Sequence, residues 1–170
     1  FFSVKALKLF LCQVDLIFAS GYDLEAQLKK LTRKKIIVQP SGINNIFFES
    51  KSRTFDGKSV QLITVASLVK KKNLGLILDI AKNLETLTFN IVGVGPQKKY
   101  LLKRIKDEGI VNVKILGFKT PEQLHSLYYQ NDIFLLTSEK EGTPTAMIEA
   151  MACGLPVITS RAGGVKKILG

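Results

Sequence analysis

From residue 60 onward, short apolar runs alternate with segments of helical periodicity, and few folds accommodate that order. Residues 60–66, 89–92, 113–116, 133–136 and 157–159 are apolar runs too short for helices and read as strands. Between them, 74–84, 97–108, 121–129 and 145–153 read as helices. The strands are continuous rather than alternating in polarity, so both of their faces must be covered. Strand–helix alternation of this kind predicts an α/β fold, a Rossmann-like parallel sheet with helices on both faces. Upstream, 2–14 and 22–31 read as helices, and 16–19 and 36–38 as short strands. Pro40-Ser41-Gly42 breaks the pattern, and an irregular segment follows to about residue 58. The predicted organisation is a first piece over 1–38, a linker over 39–58 and a regular domain over 59–170.

Parallel sheets of this class bind ligands at the carboxyl ends of their strands, near a switch in strand order. Here the glycine-rich and polar loops, 67–73, 93–96, 117–120, 137–143 and 160–164, all follow strands, so they are expected to meet along one edge.

The most chemically loaded stretch is 137–164, TSEKEGTPTAMIEAMACGLPVITSRAGG. Thr143 suits a helix N-cap and Pro144 the first helical position. The helix after them is apolar on nearly every face and is expected to be buried, with Glu149 in its middle. Burying a carboxylate is costly unless something donates hydrogen bonds to it, and no cation in the sequence obviously faces Glu149. A ligand with hydroxyl donors would meet that need. The helix N-terminus beside it can hold an anion, so hydroxyl and phosphate recognition together point to a sugar nucleotide. The competing reading has Glu149 reaching solvent or a distant lysine, with Glu141 an ordinary loop residue.

Other motifs are less specific. Gly93-x-Gly95-Pro96 closes a strand and opens a helix, but lacks the third glycine of a dinucleotide fingerprint; a tight turn explains it equally well. Lys70, Lys71 and Lys72 follow the first strand of the regular domain, where an ammonium could neutralise a diphosphate leaving group. His125, the one histidine, is expected on the polar side of its helix, which argues against a zinc site or a serine–histidine triad. Cys12 and Cys153 lie far apart in apolar runs and are predicted to be small core residues of a protein in a reducing compartment. The formal net charge of +11 favours acidic partners, phosphates or an anionic lipid surface. Nucleic acid is not an expected partner, because the basic residues lack aromatic interleaving. The apolar opening, broken by Lys5, Lys8, Gln13 and Asp15, does not read as a membrane span.

The run Ser138-x-x-Glu141-Gly142-x-Pro144, with Glu149-Ala150-Met151-Ala152-x-Gly154-x-Pro156-Val157 after it, resembles the retaining glycosyltransferases of family 4, which have the two-domain GT-B fold. The likeness extends through the lysine loop, Gly93-x-Gly95-Pro96, Gly117-Phe118 and the segment 36–48. It implies that 1–38 is the tail end of an N-terminal Rossmann-like acceptor domain, and that 59–170 is the nucleotide-sugar-binding domain, both truncated. It further implies a transfer of sugar from a nucleotide-diphosphate donor to a glycan, lipid-linked or small-molecule acceptor, with retention and without metal. The expected setting is the cytoplasm, with peripheral contact at the inner face of the membrane. By the same resemblance Glu141 and Lys72 would take the catalytic roles, one at the donor sugar and one at the diphosphate. Glu149 would accept from ribose hydroxyls. Gly142, Thr143, Pro144 and Thr145 would lie by the diphosphate and sugar, joined in the donor site by Ser67, Gly93, Gly95 and the backbone around Phe118. Two departures stand out: Ala66-Ser67 replaces the family's Gly-Arg, and Lys167 stands where glutamate is common. They keep open a catalytically inactive nucleotide-binding module, and a GT-B-fold nucleotide-sugar epimerase is the other alternative. The fragment by itself is expected to be inactive.

Overall fold

The computed structural model describes residues 3–49 and 59–162, with 165 and 168. The later part of the expected linker, Gly163-Gly164 and Lys167 lie outside the described residues. The chain divides into two compact units, one of Phe1–Gly42, Lys140–Pro144 and Arg161–Gly170, the other of Ile43–Glu139 and Thr145–Ser160.

In the first unit, α1 (Val4–Cys12) begins at Ser3, whose hydroxyl accepts from the Ala6 N–H at 3.2 Å. Strands β1 (Leu16–Ala19) and β2 (Lys35–Val38) pair in parallel, with α2 (Tyr22–Leu28) between them in sequence. That is one strand–helix–strand unit, and it buries little: Leu11 and Ala19 are covered, while Phe10 and Phe18 are 72% and 62% exposed. Cys12, predicted to be a core residue, is exposed at the end of α1, where the helix turns Leu11 and not Cys12 inward.

The second unit is built on a five-stranded sheet of β3 (Gln61–Val65), β4 (Thr88–Val92), β5 (Val113–Gly117), β6 (Ile133–Leu136) and β7 (Val157–Thr159). Their order is β5-β4-β3-β6-β7 and every pairing is parallel. The chain winds one way from β3 to β5, then returns to β3's free side to lay down β6 and β7. Strand order therefore reverses between β3 and β6, the place where doubly wound sheets open a crevice.

Helices cover both faces of this sheet, as the apolar strands require. Leu62, Phe89, Ile91 and Leu135 pack with Ile77, Leu78 and Ala81 of α3 (Gly75–Asn83) and Leu101 of α4 (Lys98–Asp107). The alternate residue Phe134 points to the other face, its ring 6.1 Å from that of Tyr128 on α5 (Pro121–Tyr129). Asn90, also on that side of β4, is buried, and its amide donates to Asn131 Oδ1 at 2.9 Å. α5 starts sharply because Thr120 and Gln123 form a reciprocal capping box with Pro121 at the first position.

The irregular segment contains a 3₁₀ turn, Asn45–Phe48, whose Phe47 is only 2% exposed. Phe47 packs edge-on against Tyr128, with ring centroids 5.8 Å apart, and near His125. His125 is accordingly buried, contrary to the expected surface position. Its Nε2 lies 3.1 Å from the Glu49 carbonyl, and Tyr129 donates to the same carbonyl at 3.0 Å. A carbonyl only accepts, so Nε2 carries the proton. The sequence around His125 gives no hint of this, because its carbonyl partner Glu49, just after the covering turn, lies 76 residues earlier.

Candidate functional site

Within the second unit, the residues that directly follow β3 to β7 meet along the carboxyl edge of the five-stranded sheet. Leu68 donates its N–H to the Val94 carbonyl at 2.9 Å, and Gly93 donates to Gly117 at 2.8 Å, which joins the ends of β3, β4 and β5. Across the reversal point, Glu139 N–H donates to the Lys71 carbonyl at 3.0 Å, and the Thr137 hydroxyl donates to the Lys72 carbonyl at 2.9 Å. Ser160 closes the far side, with its N–H on Leu136 and its hydroxyl on the Ser138 carbonyl at 2.5 Å.

This network explains the two glycines after β4. Gly93 has φ +142°, and a Cβ there would overlap the Ala66 carbonyl. At Gly95, with φ +156°, a Cβ would stand 2.6 Å from the Leu68 carbonyl oxygen and 2.8 Å from its nitrogen. Both are backbone conformations that glycine alone adopts readily, and neither site has room for a side chain. Close approach of two strand-end loops is thus a sufficient reason for Gly93-x-Gly95. Ser67, between Ala66 and Leu68 in the chain, is exposed.

Lys70–Lys72 form a 3₁₀ turn that ends at Asn73 in the left-handed region, φ 48°. Lys70 and Lys71 are exposed and Lys72 is half-buried. The turn is pinned through its carbonyls by residues 137 and 139. Phe118, just after β5, is 72% exposed.

Helix α6 (Thr145–Ala152) is less buried than its composition predicts: Met147 and Ala150 are covered, but Met151 is 40% exposed. An eight-residue helix laid on one sheet face has an outer side whatever its residues. Glu149 is half-buried, and its partner is not a cation. The Tyr128 hydroxyl donates to Glu149 Oε2 at 3.1 Å. Burial raises the Glu149 carboxyl above its ordinary value, and the tyrosine hydrogen bond pulls the other way. Burial, together with the carboxylate, pushes the Tyr128 phenol far above its ordinary value, so it remains a donor. Its single proton is shared between Glu149 and the Ala146 carbonyl, the latter at 3.2 Å. The carboxylate is supported without being saturated. Tyr128 was invisible to sequence reasoning, since it sits 21 positions upstream in an ordinary amphipathic helix.

In the first unit, Glu141 is 9% exposed and Pro144 is buried. The Thr143 hydroxyl donates to the Ser20 carbonyl, and the helix proper begins at Thr145, two residues later. Thr143 is therefore a loop anchor rather than the expected N-cap. Gly142 lies so close to Gly21 that a Cβ on Gly21 would meet the Gly142 carbonyl carbon at 2.7 Å. Ser20 and Gly21 follow β1 and are residues the sequence did not single out.

One buried side-chain oxygen among the described residues has no partner, that of Ser138. Leaving such a group unpaired costs on the order of 1–3 kcal/mol. No cluster of three or more His, Cys, Asp or Glu suited to a metal occurs among the described residues, and among them no helix is long and apolar enough to cross a membrane.

Residues 45–170 match the family described as "Glycosyl transferases group 1". The chain is 33% identical over 147 residues to the amylovoran biosynthesis glycosyltransferase AmsK of Erwinia amylovora, covering 80% of this chain and 36% of that protein. It is 29% identical over 147 residues to the putative colanic acid biosynthesis glycosyltransferase WcaL of Salmonella typhimurium, with the same 80% and 36% coverage. The chain thus spans about a third of the length of these curated relatives. Among solved structures, Anabaena Alr3699/HepE in complex with UDP and glucose superposes with a TM-score of 0.81 at 20% identity, over 99% of this chain and 51% of that one. At that identity the likeness shows the fold.

Proposed function

The chain belongs to the glycosyl transferases group 1 family, and from that premise we propose that it is the donor-binding half of a retaining, family 4 type hexosyltransferase with a GT-B fold. It moves a sugar from a nucleotide-diphosphate donor to a glycan, lipid-linked or small-molecule acceptor. The observation that carries this reading is the convergence at the reversal of strand order. The lysine turn after β3 and the Thr137–Glu139 backbone after β6 are bonded to one another there, which is where such sheets bind nucleotides.

Each role follows from chemistry that the residue can perform. Lys72, seconded by Lys70 or Lys71, stabilises negative charge on the departing diphosphate, the charge that grows in the transition state. Glu141 accepts hydrogen bonds from donor-sugar hydroxyls and orients the anomeric carbon. Glu149, with capacity left beside Tyr128, takes the ribose hydroxyls. The backbone N–H groups of Gly142, Thr143 and Thr145 are available to phosphate and sugar oxygens, with Pro144 setting the start of the helix. Ser67, Gly93, Gly95 and the Phe118 backbone line the approach to the nucleotide. Lysines and the helix end supply the positive charge, so the reading needs no metal. The protein works in the cytoplasm, its basic surface resting against the anionic inner face of the membrane.

The test is substitution in the full-length protein. Lys72→Ala and Glu141→Ala should each lower sugar transfer by about 100-fold or more, the scale for removing a transition-state charge contact. Unchanged function in both, with nucleotide still bound, would favour a non-catalytic nucleotide-binding module. Conversion of the donor without any acceptor would favour an epimerase.

A further inference from the structure

Ser138 is 1% exposed, and its hydroxyl is the one buried side-chain oxygen without a partner among the described residues. Everything next to it is paired. Thr137 donates to the Lys72 carbonyl at 2.9 Å, Glu139 N–H to the Lys71 carbonyl at 3.0 Å, and the Ser160 hydroxyl to Ser138's own carbonyl at 2.5 Å. The backbone at 138 is therefore held on both sides while its hydroxyl is left over. Packing does not call for that oxygen, because alanine would occupy the place without stranding a polar atom. Chain geometry does not call for it either, since strand β6 has ended and no capping or turn bond uses the hydroxyl. What distinguishes the position is its place at the strand-order reversal, against the turn that presents Lys70, Lys71 and Lys72.

We infer that the Ser138 hydroxyl is a hydrogen-bonding residue for the diphosphate of the donor, and that it makes this bond only when the donor is bound. The inference rests on the nucleotide-sugar reading above. A hydroxyl is a good donor to an anionic oxygen, and such charge-assisted bonds are short and strong. Rotation about χ1 carries the oxygen between staggered positions without moving the backbone, so the bond can form on a frame already fixed by the Thr137, Glu139 and Ser160 hydrogen bonds. A buried group that is unpaired without the donor and paired in the complex adds to donor affinity while it detracts from folding stability.

That combination separates the inference from a structural role. In the full-length protein, Ser138→Ala and Ser138→Cys are compared with wild type by thermal shift against UDP, GDP, ADP and dTDP. Donor KM is measured for the sugar nucleotide of whichever base binds. The unliganded Ser138→Ala protein should melt at or above the wild-type temperature. Its affinity for the nucleoside diphosphate should fall about tenfold, equivalent to about 1.4 kcal/mol, with KM raised by the same factor. Ser138→Cys, which keeps the size and weakens the donor, should fall between. Wild-type affinity in the folded alanine variant would overturn the inference, as would a lowered melting temperature in both variants with affinity unchanged. If the alanine variant does not fold, the cysteine variant decides by its affinity alone. Failure of wild type to bind any of the four nucleotides would instead overturn the donor-binding reading itself.

Discussion

The Glu149–Tyr128 pair sets the clearest expectations for single residues. The carboxyl is raised by burial, so between the ordinary 4.5 and its higher folded value the native state holds more protons than the unfolded chain. Stability then falls as pH rises through that window, and the full penalty is present above it. Glu149→Gln removes the penalty. Its urea midpoint at neutral pH should equal or exceed that of wild type while nucleotide affinity drops, and a lower midpoint with affinity intact would contradict both halves of the argument. Tyr128→Phe takes away the hydroxyl that donates at 3.1 Å and should destabilise by about 1–2 kcal/mol. It should also move the Glu149 titration, followed by NMR, further upward. Glu108 behaves in the opposite sense. Hydrogen bonding to Arg104 is the main reason that its carboxyl is lowered to about 2. Its contribution is therefore complete above 4.5 and is lost as pH falls toward 2.

Among the elements, the 3₁₀ turn Asn45–Phe48 and the loop after β4 are the most exacting. Phe47, 2% exposed, fills a place bounded by His125 and Tyr128. Phe47→Ala should cost about 3–4 kcal/mol, measured by chemical denaturation, and should release the Glu49 carbonyl from His125 and Tyr129. Gly95→Ala should cost at least about 2 kcal/mol, because a Cβ there meets the Leu68 backbone at 2.6 Å in a conformation that alanine avoids. Nucleotide binding and stability should fall together in that variant. Loss of binding at unchanged stability would show that the glycine serves the ligand and not the loop crossing.

For the whole molecule, the two units differ in how much they bury. The second has a continuous core on both faces of its sheet. The first exposes Val4, Leu9, Phe10 and Phe18 at 61%, 69%, 72% and 62%, more apolar surface than a stable soluble surface commonly carries in one small unit. The 170-residue chain alone is expected to self-associate with rising concentration in sedimentation velocity. A monomer throughout the accessible range would refute this. A donor that binds the folded state should stabilise the full-length protein by mass action, by about 2.7 kcal/mol at 100 times Kd, read as a higher melting temperature.

What the sequence alone determined is the periodic part. Short apolar runs and helical spacing are local and repeated, so the α/β class, the parallel sheet and nearly every element from β3 to β7 were legible in order, as was membership of a glycosyl transferase family. The carboxyl edge was legible too, because glycine and polar loops follow strands by necessity in this topology. Tertiary structure alone decided which distant groups meet. Glu149 accepts from a tyrosine hydroxyl, and His125 is bonded to Glu49, 76 residues away in sequence. Cys12 is exposed at the end of α1, while its neighbour Leu11 is buried. Ser138, one letter in a motif, is a buried hydroxyl without a partner. None of these carries a local signature, since burial and partnership depend on chain segments that approach only after the sheet has assembled.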